Sequence, residues 1–482
     1  MTRKLFYIVL LSFLSMAVEA QKDSTKVYKK RVLENAEVDL LMSYYKQDGD
    51  HSVVGGGVGS EKLNDVTPTI VITVPLNDDD VLTIDTGLSA YTSASSSNIN
   101  PFNSSGASRK GRDDDDGEHN SGNTSGKVSG SPWIASSGAS RKDVLYSLNT
   151  AYSHSSDDRN LIWGPHVSFS NEFDYTSFGF GGSVAKLFNE KNTELSLKGQ
   201  VYLDVWRPIY PTELHEYNQY GIDFLTSGYF SDVPVIDQSG NETSLYKPER
   251  FSTVSGRNRN SYSASFGFSQ ILSKRLQASV FMDLVYQKGL LSTPYHRIYF
   301  ADKPSYYIGV AGDIPNYTSS TNTGVYRLAD DIERMPDNRF KIPVGARVNY
   351  YLNEFVKLRS YYRYYTDDWG ITSHTASLEI PLKVSQRFTI TPMYRFYTQT
   401  AADYFAPFAT HLSTEKYYTS DYDLSAFHSN QYGIGVSYTD VFTGFKLYKF
   451  GLKSIDLRFN HYDRSDGLKA NIISLGIKFV FD

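Results

Sequence analysis

Apolar residues recur at every second position in about sixteen separate segments of this chain, and that pattern excludes most folds. In TELSLKGQVYLDVW, residues 193–206, Leu195, Leu197, Val201, Leu203 and Val205 share one parity; Glu194, Ser196, Lys198, Gln200 and Asp204 share the other. Successive side chains of a β-strand point to opposite faces, so each such segment is a strand with one apolar and one polar face. The segments lie near 37–45, 66–75, 81–93, 143–153, 160–172, 174–187, 193–206, 260–271, 275–287, 340–352, 355–366, 371–383, 387–400, 431–441, 452–463 and 469–481. Tight connections such as LNDDD, FNEKN, LSKR, LNEF and VSQR alternate with long polar stretches at 94–142, 207–259, 288–339 and 401–430. Strands of this length, with short turns at one rim and long loops at the other, spell an all-β fold: a transmembrane antiparallel β-barrel with long extracellular loops. Lipid offers no partner to a backbone amide, so the sheet must close on itself. The chain ends on NIISLGIKFVFD, where Ile473, Leu475, Ile477, Phe479 and Phe481 alternate to the terminus.

The first twenty residues stand apart from this pattern. Arg3 and Lys4 precede an apolar run, Leu5 to Val18, too short for a membrane anchor, and Val18-Glu19-Ala20 resembles a signal-peptidase site. The expected layout is a signal peptide over 1–20, a periplasmic segment over 21–35 and an outer-membrane barrel over 36–482. An even strand count then places both termini in the periplasm of a Gram-negative cell and makes outer-membrane lipids the first contact partner. The chain has no cysteine, which excludes disulfides and thiol chemistry. Its net charge of -5 argues against nucleic acid. Aromatic residues make up 15%, and those at strand ends are expected to form interfacial girdles: Tyr44, Tyr45, Trp163, Trp206, Tyr286, Tyr364, Tyr365 and Trp369.

Parity also assigns the lumen. Strands ten, eleven and thirteen are expected to point Arg339, Lys341, Arg347, Lys357, Arg359, Arg363, Arg387 and Arg395 inward, and strands seven to nine Glu194, Asp204 and Asp283. A basic wall facing a more acidic one carries a transverse field. That field orients a passing anionic solute or holds an acidic plug; alternatively the charges are salt bridges that stiffen the barrel. In the loop 94–142, Asp113, Asp114, Asp115 and Asp116 precede Glu118 and His119, between two copies of SSGASRK at 104–110 and 136–142. Calcium takes such oxygen ligands, but the spacing matches no calcium loop, and a solvated surface loop is the simpler reading. No catalytic constellation emerges, so no enzyme and no cofactor is expected. ELHEY at 213–217 lacks the second histidine of a zinc helix, and GGGVG at 55–59 lacks the strand-to-helix setting of a phosphate cradle.

Four motifs add a resemblance. GLLSTPYHRIYF (289–300), ERMPDNR (333–339), YYRYYTDDWGITSHTASLEIPL (361–382) and MYRFYTQTAADYFAPF (393–408) resemble those of an uncharacterised family of outer-membrane barrels of Bacteroidota and other Gram-negative bacteria. Members of that family are often encoded beside a small Cys-containing lipoprotein, a thioredoxin-like protein and a flavin transferase. The resemblance implies a link to extracytoplasmic redox chemistry and a small lipoprotein or periplasmic redox partner; it transfers no catalytic residue. Read physically, Pro294, Tyr295, Arg297, Glu333, Pro336, Asp337 and Arg339 flank one long loop. Tyr365, Asp367, Asp368 and Trp369 form a hairpin tip nearby, and Arg395, Tyr397 and Gln399 face the same upper lumen. These groups are expected to build a constriction or a partner-docking surface. The leading expectation is a non-enzymatic channel or scaffold with a lipoprotein partner, followed by a diffusion porin for small polar or anionic solutes and by an adhesin-like barrel.

Overall fold

Sixteen strands close into one antiparallel barrel in the computed structural model, which describes residues 31–59, 61–89, 145–172, 174–319, 322 and 324–481. They are β1 (Glu37–Asp48), β2 (Leu63–Pro75), β3 (Asp80–Ser89), β4 (Leu145–Ser155), β5 (Leu161–Asn171), β6 (Tyr175–Phe188), β7 (Thr193–Trp206) and β8 (Arg259–Ser273) in the first half. The second half holds β9 (Leu276–Gly289), β10 (Asn338–Tyr351), β11 (Lys357–Asp367), β12 (Thr372–Glu379), β13 (Phe388–Gln399), β14 (Phe427–Thr439), β15 (Phe450–Arg464) and β16 (Lys469–Phe481). Closure comes from β16 on β1, paired from Glu37↔Val480 to Asp48↔Lys469. Each expected strand is present within a few residues of its span. The signal peptide, the start of the 21–35 segment, both SSGASRK copies and Asp113 to Asp116 lie outside the described residues.

Parity separates the two faces as period two requires. Leu40, Met42, Val66, Leu195, Leu197, Phe266, Phe268, Ile434 and Leu457 face outward, and all are exposed on the bare barrel. Such a band is stable only against hydrocarbon, so the barrel spans a membrane. Aromatic pairs flank the band, among them Tyr262 with Tyr286, Tyr394 with Tyr432 and Phe388 with Tyr438. The expected girdle needs correcting here. Tyr44, Trp163, Tyr286 and Tyr364 do face outward. Tyr45 and Tyr365 lie on the lumen parity, and Trp206 and Trp369 are buried. Adjacent tyrosines on a strand cannot share a face, and the two tryptophans find their N–H partners inside, at the Asp174 carboxylate and the Asn338 carbonyl.

The two ends of the barrel differ. At one end, where the chain enters β1 and leaves β16, turns are mostly short. At the other end, loop 1 (49–62), loop 4 (207–258), loop 5 (290–337) and loop 7 (400–426) fold inward and pack together; the polar stretches at 207–259, 288–339 and 401–430 were expected as extracellular loops, with Arg–carboxylate pairs folding the second of them into the mouth. Loop 4 contains a helix, α1 (Thr212–Tyr220), and a two-residue strand, Val235–Ile236. That strand pairs with Tyr307–Gly309 of loop 5, which pairs with Val325–Arg327. Phe224, Phe230, Tyr246, Ile308 and Leu328 form a buried core within this cap.

The cap reaches across the mouth. Val54 of loop 1 packs with Leu145, Tyr175, Trp206, Leu290 and Tyr295, near the ends of β4, β6, β7 and β9, the last of which lies across the barrel from β1. Lumen-facing residues near this end are buried around the circumference: Ser43, Asp65, Ser170, Ser177, Thr375, Gln399, Gln431, Tyr462 and Ile472 among them. Deeper in the lumen Lys198, Arg347, Arg359 and Arg458 are exposed. The barrel is therefore filled at the loop end and wet toward the turn end.

Candidate functional site

The centre of the cap is a buried ion pair between two loops. Arg297 and Glu213 are both 0% exposed. The Arg297 guanidinium donates to both Glu213 oxygens, at 2.9 Å from Nε and 3.2 Å from Nη2, and its Nη1 donates to the Val54 carbonyl at 3.2 Å. The Ala329 amide donates to the same carboxylate at 3.1 Å. One bidentate contact thus joins α1, loop 5 and loop 1. Burial alone would weaken the Arg297 charge, but the facing Glu213 holds its pKa above the usual guanidinium value.

Loop 1 needs its glycines at this point. Gly56 and Gly57 have φ of 72° and 93°. A Cβ on Gly56 would stand 2.6 Å from the Arg297 carbonyl oxygen, and one on Gly57 would stand 2.7 Å from that of Ser420. Beside them the His51 ring stacks on Tyr422 of loop 7, with centroids 3.6 Å apart. The GGGVG stretch is therefore a packing device between loops 5 and 7.

Carboxylates tie the remaining loops. Glu333 accepts from the Thr293 amide and the Thr419 hydroxyl and lies 3.3 Å from His296 Nδ1. Burial pulls the Glu333 pKa up, but His296 and these donors hold it below the ordinary value. Asp331 accepts from Arg334 at 2.7 Å and from the Tyr418 hydroxyl at 2.6 Å. Three acids are pushed the other way, each by burial first. Glu61 rises to about 7, with Asp423 adding repulsion; Asp330 rises to about 6; Asp421 rises well above the usual range beside Asp423 and Glu333.

The expected loop residues divide as follows. Tyr295, Arg297 and Glu333 are in the cap, but Arg297 pairs with Glu213 rather than with the carboxylates of its own loop. Asp337 bonds the neighbouring Asn338 side chain at the rim. Asp367 accepts from Arg339 and Tyr365, and the Arg339 guanidinium lies 4.3 Å above the Trp369 ring. Asp368 accepts from the Phe340 amide. Sequence reasoning missed Glu213, Val54 and His296. For Glu213 a signal exists: Leu214, Tyr217 and Phe224 recur at helical rather than strand spacing.

Strand pairing puts Arg339, Arg347, Arg359, Arg363, Arg395, Tyr397, Asp204 and Asp283 on the lumen face. The placement of the acids differs from expectation. Asp283 is on β9, beside the basic strands, and Asp204 is on β7; neither faces them. The strands diametrically across from β10 and β11 are β2 and β3, where Asp65 and Asp85 supply the carboxylates among Thr and Gly. Asp204 accepts from the Tyr175 hydroxyl at 2.7 Å. Arg359 is ion-paired with Glu379, and Tyr397 donates to Gln399 at 2.6 Å. No group of three or more potential metal ligands occurs among the described residues.

One family's sequence pattern runs through all four motifs and through every barrel strand but the end of the last, matching residues 8–471. The chain belongs to the DUF3570 family. Its description is "Protein of unknown function (DUF3570)". No curated protein matches this DUF3570 barrel. Among solved structures, a bacterial polysaccharide outer membrane secretin is similar at 9% identity, over 95% of this chain and 100% of that one, with a TM-score of 0.40. A Pseudomonas aeruginosa FadL homologue follows at 10% identity, 93% and 91% coverage and a TM-score of 0.36. P. aeruginosa OccK2 in complex with glucuronate shows 7% identity, 94% and 98% coverage and a TM-score of 0.36. Likenesses this loose assign no role to the DUF3570 barrel.

Proposed function

We propose that this protein is a non-enzymatic outer-membrane channel whose extracellular mouth is closed by its own loops, with both termini in the periplasm. The observation that carries the reading is the graded burial of the lumen. Side chains facing it are buried around the circumference at the loop end, while Lys198, Arg347, Arg359 and Arg458 stay wet below. A sealed hydrophobic interior has no use for such a vestibule; a conduit with a movable stopper does. Planar-bilayer recording tests it. The wild type is expected to conduct rarely, and deleting residues 52–58 is expected to open it persistently. Equal, silent traces from both proteins count against the channel.

A second reading keeps the barrel as a scaffold for a small Cys-anchored lipoprotein in an extracytoplasmic redox system. Exposed Ile222 and Leu245 on loop 4, each 74% accessible, favour it. Such a lipoprotein should co-purify from native membranes with the wild type and be lost with the I222D/L245D variant.

A further inference from the structure

Two adjacent rows of paired residues cross the lumen wall from β10 to β15. One runs Arg347, Tyr361, Ser377, Arg395, Gln431, Tyr462. The other, two residues nearer the loop end on β10, runs Gly345, Arg363, Thr375, Tyr397, Ser429, Arg464. Arginine and tyrosine alternate along both, and neither row contains a carboxylate. Arg347 and Arg363 lie diagonally on the adjacent strands β10 and β11, about 7–8 Å apart at the backbone.

The charges of these rows are unevenly satisfied. Arg464, at the cap, is paired with Asp423 and Asp466. Arg347 and Arg363 hold no ion pair among the described residues; they lie over aromatic rings, Arg347 between Phe281 and Tyr361 at 5.4 and 5.5 Å and Arg363 by Tyr365 at 5.9 Å. The buried Nε of Arg363 has no hydrogen-bond partner. Lys341 stands close above, with Arg339, Arg259 and Arg363 as its cationic neighbours; Asp367 is already engaged by Arg339, and Asp283 faces the lumen on the adjacent strand β9. A wall meant only to be stiff would interleave acids with these bases, as Glu379 does between Arg359 and Arg458. Rings supply no competing charge, so the cationic N–H groups keep their capacity for planar oxyanions.

We propose that this Arg/Tyr stripe binds solutes carrying two or more oxyanion groups, carboxylate or phosphate, from the turn-end vestibule. The proposal deepens the channel reading and rests on its wet lumen. The Arg347 and Arg363 guanidiniums engage separate oxyanions, and the neighbouring Tyr361 hydroxyl donates to the body of the solute.

The test is calorimetric titration of the detergent-solubilised full chain with pyrophosphate and with citrate, at fixed ionic strength. Wild type is expected to bind at least one of them. R347Q/R363Q should weaken that binding about tenfold, the loss of one to two charge-assisted contacts. K357Q/R387Q removes the same charge nearer the turn end and should bind like wild type. Circular dichroism of each variant checks that the barrel is intact. Binding of citrate alone assigns the stripe to carboxylates, and of pyrophosphate alone to phosphates. Absence of heat with both probes overturns the proposal, as does an equal loss in K357Q/R387Q, which would make the attraction a diffuse field. Because binding is read without current, a silent bilayer with intact binding fails the channel reading and leaves the stripe standing.

Discussion

Arg297 and Glu213 show what a buried pair does when packing alone cannot fix an arrangement. Neither loop has a long strand or helix to set its register against the other. A bidentate contact with two further donors admits one relative position, at the cost of desolvating two charges. Removing one partner strands the other in a dry site, which costs about 3–5 kcal/mol. E213Q is therefore expected to loosen the cap without unfolding the barrel, seen as faster protease cleavage in loops 4 and 5 at unchanged β-sheet circular dichroism. The E213L/R297M double variant should recover much of the protection. If the double variant is cleaved faster than E213Q, the pair contributes more than its isostere and the desolvation argument is wrong. Gly56 makes the matching prediction for backbone. G56V places a Cβ against the Arg297 carbonyl at a φ that β-branched residues avoid, so it should raise loop cleavage as much as E213Q does.

Loop 1 is the element on which these contacts converge, and its charge makes it sensitive to pH. Seated, Glu61 has its pKa raised to about 7 from an ordinary 4.5, first by burial and then by Asp423, with Asp466 adding to the effect and Arg464 opposing it. Released, it returns to the ordinary value. Between these limits the seated loop binds more protons than the free one, so lowering the pH favours seating and raising it favours release. Asp421 and Asp330 shift in the same sense. Glu333 opposes them, but its pKa is held low, so its contribution is lost only at pH below the Glu61 window. Cleavage of loop 1, or channel opening, is expected to increase from pH 5 to pH 7 and to level off above that, with a shallower rise in E61Q. A flat wild-type profile, or an unaltered slope in E61Q, would remove Glu61 from the mechanism. The same contrast between elements explains what was legible in the sequence. Every barrel strand carries its own period-two record, from Leu195–Leu197 to Ile477–Phe479, and the strand spans follow from it. Lumen parity is equally local, which is why Arg347, Arg363 and Tyr397 could be placed. The cap leaves no such record: Arg297 lies 84 residues from Glu213 and 243 from Val54, and its strands are two or three residues long. Trp206 was misplaced against its own strand's parity, which sets it with Asp204 on the lumen side, whereas Trp369 lies at a hairpin tip and finds its N–H partner, the Asn338 carbonyl, in another segment.

At the scale of the molecule, the barrel resolves one conflict. Its outside must be apolar to sit in hydrocarbon, while its inside carries cations that hydrocarbon would reject. Period two satisfies both only if the sheet is closed, and the β1–β16 pairing closes it. The tryptophans report on this division. Trp163 faces outward and is 43% exposed on the bare barrel, whereas Trp206 and Trp369 are buried on the inner side. Trp133 lies outside the described residues, so it is replaced by Phe in each test protein. In vesicles of bromine-labelled phospholipid, a protein keeping only Trp163 should lose most of its fluorescence, because bromine on the acyl chains contacts that ring. A protein keeping only Trp206 should keep most of it, since the strand backbone and the cap stand between the ring and lipid. An aqueous quencher such as iodide should reach neither well. Equal quenching of both proteins by the brominated lipid would mean that the two faces are not separated as the strand register requires. The channel and the Arg/Tyr stripe would then both lose the wet interior on which they depend.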